Sequence, residues 1–85
     1  MSDWTWEYMP DAQSVVGGLD VERRAEVEAL AQRIADAVAV RRIGESFDPA
    51  NAVSSMHTYA EGGLMLVYQE DYRDDTILVS RVQSV

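Results

Sequence analysis

The sequence predicts a small α+β domain of the order β-α-α-β-β-β, an antiparallel sheet with a two-helix hairpin packed on one face. Three observations predict it: an alternating aromatic segment near the start, an apolar stripe at helical spacing in the middle, and three β-rich runs divided by short turns at the end. The 85 residues suit one domain spanning 1–85. At that length folding buries a little over roughly 60% of the surface of the unfolded chain, enough for one modest core.

The first strand is read from Trp4 to Met9, where Trp4, Trp6 and Tyr8 alternate with Thr5, Glu7 and Met9. The paired tryptophans suit either a core face or a platform for stacked bases, and the core is the expectation at the start of a sheet. Pro10 and Asp11 open a short helix that runs to Val16, and Gly17 or Gly18 is expected to close it in the left-handed conformation. Asp20 then caps a second helix, in which Val27, Leu30, Ala31, Ile34 and Val38 form one stripe. Arg41 and Arg42 stand at its end, where cations complement the helix dipole. From Gly44 to Ala52 turn formers dominate, so this stretch is expected to be a loop pinned by its one large apolar residue, Phe47. Val53–Ala60 reads as a strand, Glu61-Gly62-Gly63 as a turn, Leu64–Gln69 as a second strand, Glu70–Asp75 as another turn, and Thr76–Val82 as the closing strand.

Composition restricts function. With no cysteine there is no disulfide, no thiolate metal site and no cysteine nucleophile, which fits a reducing, cytoplasmic setting. No signal peptide or membrane span is apparent. Seven arginines, no lysine and 15 acidic residues give a net charge of −8, which repels phosphate backbones and suits a cationic partner. No glycine-rich phosphate loop, nucleophile elbow or metal-ligand motif occurs, so no cofactor and no metal are expected.

The opening strand with Trp4, the helical hairpin and the strand containing Leu66-Val67-Tyr68 resemble the RelE/ParE toxin superfamily, whose corresponding strand reads Arg-Leu-Val-Tyr. The resemblance covers nearly the whole chain. It implies a type II toxin–antitoxin protein with an antitoxin-like partner and, for the members that act as mRNA interferases, cleavage of ribosome-bound mRNA. Such members use arginine and lysine to stabilise the phosphate transition state beside a general acid or base; others inhibit gyrase. Here Met65 stands where the family often has arginine, and Gln83-Ser84-Val85 provides neither the basic nor the aromatic residue common at that point.

RNA cleavage needs a base for the 2′-hydroxyl, an acid for the leaving oxygen and cations for the charge developing on phosphorus. The residues left to supply these are Arg81, Arg73, His57 and Tyr68, with Tyr72, Glu61 and Glu70 as further candidates. His57 is the single histidine and the natural acid; its alternative is a half-exposed strand position. Arg81 interrupts an apolar strand, where it either holds a phosphate or pairs with an acid such as Glu70. Glu70, Asp71, Asp74 and Asp75 surround Tyr72 and Arg73 and read as a solvated hairpin tip able to meet a basic partner.

Two functions from different classes follow. One is the toxin, active on ribosome-bound mRNA. The other is a non-catalytic acidic interaction module that binds a basic protein, with no direct binding of free nucleic acid. A third is a self-associating protein, such as a homodimer, paired through exposed edge strands.

Overall fold

The computed structural model describes residues 3–84. Its elements are β1 (Thr5–Tyr8), α1 (Ala12–Val16), α2 (Val21–Arg41), a 3₁₀ turn (Pro49–Asn51), β2 (His57–Glu61), β3 (Leu64–Asp71) and β4 (Thr76–Ser84). Each helical segment starts on an aspartate. Asp11 Oδ1 accepts from the Ser14 amide and Asp20 Oδ1 from the Arg23 amide, both at 2.8 Å, and Asp48 Oδ1 accepts from the Ala50 amide at 3.0 Å. A cis Met9–Pro10 peptide bond joins β1 to α1.

The strands lie in the order β1-β4-β3-β2. The β2–β3 and β3–β4 pairs are antiparallel, as expected, but β1 runs parallel to β4, so the sheet is mixed. Helix length explains the difference. Two long helices in a hairpin would cross the sheet twice and leave β4 opposed to β1. Here α1 has 5 residues and spans about 8 Å, whereas α2 has 21 and spans about 32 Å, so the chain makes one return pass before the meander. β4 therefore arrives pointing the same way as β1; α1 is the short helix expected up to Val16, too short to make a second pass across the sheet.

The core lies between α2 and one sheet face. The α2 stripe, Val27, Leu30, Ala31, Ile34, Ala35 and Val38, is buried against Leu64, Leu66, Ile77 and Val79. Trp4 is buried in the same cluster, and Trp6 and Tyr8 pack against it, so the alternating aromatics serve the core. Along β4 the pairing slips by one residue: Val67 faces Arg81 and Tyr68 faces Val79, with Ser80 left between. At the β2–β3 turn, Gly62 (φ 61) and Gly63 (φ 79) both have positive φ, which a type I′ hairpin requires of its two central residues.

Three local expectations differ. Gly17 closes α1 in the right-handed region, φ −60; its need for glycine is close approach, since a Cβ there would lie 2.3 Å from the Gln13 carbonyl oxygen. The strand expected over Val53–Ala60 is broken: Val53 makes one isolated bridge to Asp71, and regular pairing resumes at His57. Ser54 causes the break, because its Oγ rather than a backbone carbonyl accepts from the Glu70 amide at 2.8 Å. Phe47 does not pin its loop and is 45% exposed. The anchor is backbone, with the Tyr72 amide donating to Ala52 O at 2.8 Å and the Ser54 amide to Glu70 O at 2.9 Å. No helix among the described residues is long and apolar enough to cross a membrane.

Candidate functional site

Glu70 is the chemical centre of the molecule. Alternation along β3 places Leu64, Leu66, Tyr68 and Glu70 on the helix-facing side, and Glu70 is only 1% exposed. Its Oε1 accepts from Arg41 Nη2 at the end of α2 and from the Tyr72 hydroxyl at 2.7 Å. Its Oε2 is buried and has no hydrogen-bond partner among the described residues. His57 Nε2 stands 3.8 Å from it, beyond hydrogen-bond reach. His57 lies opposite Tyr68 in the β2–β3 pair, and their rings stack at 5.5 Å between centroids.

Of the residues predicted as catalytic, the fold thus brings His57 and Tyr68 together, and with them Glu70. It separates the two arginines. Arg81 is exposed on β4, where its guanidinium donates to the Gln83 side-chain oxygen at 2.6 Å when that amide is oriented to receive it; it does not pair with Glu70. Arg73 lies in the β3–β4 turn and has no side-chain ion pair or hydrogen bond among the described residues. The acidic tip is likewise divided. Glu70 leaves it for the interior, because its place on the inward face of β3 brings it under Arg41. Asp71 closes the turn by accepting from the amides of Arg73 (3.0 Å) and Asp74 (3.3 Å). Asp74 and Asp75 stay exposed, and Asp75 takes the left-handed conformation, φ 51, that aspartate tolerates.

Arg41 is the site residue that sequence reasoning missed. Its position at a helix end accounted for it without a partner, and the signal that would have found it is an acid on the inward face of a strand, a place that demands a cation. Arg42 has a structural place as well: it bonds Glu45 at 2.6 Å and lies over the Tyr72 ring at 4.1 Å, while Tyr72 meets Trp4 edge-on.

Burial, and then the nearby Glu70 carboxylate, raises the Tyr68 phenol; burial and the hydrogen bond to Glu70 raise that of Tyr72. Tyr8 is pushed furthest, to about 12, first by burial and then by Glu28, whose Oε2 accepts its hydroxyl at 3.0 Å. A phenol raised in the fold contributes stability that is intact below its ordinary value near 10 and lost as pH climbs from there toward 12. In an absorbance titration of the native protein, Tyr8→Phe is expected to remove the last tyrosinate to form; an unchanged final step would contradict the Tyr8–Glu28 contact.

Chemically, the cluster can hold a buried charge pair and expose one imidazole beside a tyrosine. It offers no uncommitted cation, since Arg41 already serves Glu70. No grouping of three or more potential metal ligands occurs among the described residues. No family model, curated protein or solved structure matches the chain.

Proposed function

We propose that this chain is a RelE/ParE-like protein of the type II toxin–antitoxin kind whose scaffold works in the cytoplasm as an acidic, non-catalytic binding module for a basic protein partner. The observation that carries the reading is the disposition of the arginines. Arg23, Arg24, Arg33, Arg41 and Arg42 are paired with Glu26, Glu28, Glu61, Glu70 and Glu45. That accounts for five of seven arginines and five of 15 acids, leaving ten carboxylates without an arginine partner among the described residues. Binding RNA depends on cations that displace condensed counterions, and here five of the seven are engaged by the protein's own carboxylates, which leaves Arg73 and Arg81. The family part of the proposal is supported by the opening strand, the long helix over one sheet face and the closing meander.

One observation favours a second reading, ribosome-dependent mRNA cleavage. His57, Tyr68, Glu70 and Arg41 gather at one place, and an imidazole beside a buried carboxylate is a recognised general-base arrangement. Induction of the untagged protein in a bacterial host separates the two. Under the binding reading growth continues and primer extension finds a translated mRNA intact. Arrest with cleavage in codon register would overturn it and make His57, Arg73 and Arg81 the residues to substitute next.

A further inference from the structure

We infer that the groove at the C-terminal end of α2 docks a cationic amphipathic segment of a partner protein, with the partner's apolar side chains on its floor and its Lys or Arg side chains on its rim. The inference rests on the acidic-module reading and names where that module binds. The groove has a volume of about 740 Å³ and runs between Trp4, the last turns of α2 and the β3–β4 turn. A second hollow continues it past Arg42 and Tyr72 to Phe47.

The floor is apolar without serving the core. Val38 closes the buried stripe, and Val40, two residues on, is turned about 200° away from it. Val40 is 70% exposed, Ile43 78% and Phe47 45%. Single exposed apolar residues are ordinary, but three along one depression mark an interaction surface. Val40 and Ile43 cannot be explained as helix packing, because the stripe that packs α2 is complete without them.

The rim supplies the sign. Asp3, Asp36 and Asp75 line the first hollow, and its one cation, Arg42, is already held by Glu45 and the Tyr72 ring. Among the described residues Asp36 receives only a neutral hydrogen bond, from Gln32 at 3.0 Å. The negative end of the α2 dipole points to the same place and favours cations further. Arg73 lines the second hollow, but with Asp3, Asp36, Glu45 and Asp75 along the two hollows the balance is acidic, which disfavours nucleic acid, and a second copy of the chain would bring a further −8. A basic segment with apolar anchors satisfies both floor and rim.

The test is fluorescence anisotropy with a labelled peptide of alternating Leu and Lys patches, a labelled oligolysine of equal charge, and the full chain. Wild type is expected to bind the Leu–Lys peptide more tightly than oligolysine. Val40→Ser and Ile43→Ser, both at open positions that spare the core, should each weaken the Leu–Lys complex about tenfold, the loss of one anchor. Asp36→Asn with Asp75→Asn should weaken both peptides, and asparagine keeps the left-handed turn at position 75. Glu22→Gln, in the first turn of α2 and so about 28 Å along the helix from Arg41, should change neither. Wild-type binding that the groove variants leave intact would overturn the groove and spare the module; equal affinity for the two peptides would overturn the apolar floor. Failure of both peptides to bind wild type would overturn the module reading itself. Urea midpoints of the variants confirm that each is folded.

Discussion

Arg41→Ala is expected to destabilise the fold by about 2–4 kcal/mol, the largest loss from any exposed side chain. Arg41 is 57% exposed, yet its partner Glu70 is 1% exposed, and the cost comes from the carboxylate left behind. With the guanidinium gone, Oε1 keeps only the Tyr72 hydroxyl, and Oε2 still has no donor. Removing one member of a fully buried pair costs about 3–5 kcal/mol; the half-open guanidinium places this case below the top of that range. Adding Glu70→Leu to Arg41→Ala is expected to restore much of the loss, because the buried charge disappears with its partner, although the Tyr72 hydroxyl loses its acceptor. Urea unfolding of the wild type, both single variants and the double variant gives the complete cycle. An Arg41→Ala variant within about 0.5 kcal/mol of wild type would show that Glu70 does not depend on this cation.

The helix and the meander were legible because each obeys one period. The stripe from Val27 to Val38 repeats at 3.6, Leu64 to Gln69 is rich in β-formers, and Gly62-Gly63 marks its own hairpin. The parallel β1–β4 pairing was not legible, because direction depends on how many times helices cross the sheet, and local pattern does not report that count. The break at Ser54 was hidden for a related reason: a serine hydroxyl replacing a backbone acceptor leaves the β-like composition unchanged. At the site, the fold makes neighbours of His57 and Tyr68, a pairing that the sequence did not indicate, while Glu70 was misread as part of an acidic tip. The run Glu70-Asp71-Tyr72-Arg73-Asp74-Asp75 looks uniformly solvated, yet the strand extends two residues past the apolar segment and turns the first acid inward. Val40 and Ile43 carried a readable signal, standing off an otherwise complete stripe, and it pointed to a surface rather than to the core.

If the chain is an acidic module, its complexes are held by charges that salt screens, and its preference between polycation and nucleic acid has a definite sign. The Debye length is about 10 Å at 0.1 M salt, comparable to the width of a docking groove, so raising ionic strength weakens every rim contact together. Affinity for a basic partner is therefore expected to fall at least about tenfold between about 50 mM and 200 mM salt, a combined effect that no single substitution in the rim reaches. RNA faces the opposite field, with five arginines already engaged by carboxylates. The most direct measurement titrates the wild-type protein into labelled oligolysine and, in parallel, into a labelled single-stranded RNA, at a series of salt concentrations. Binding of oligolysine that weakens steeply with salt, with no binding of RNA at the lowest salt, is the result predicted here. Binding of RNA without binding of oligolysine would contradict the acidic-module account.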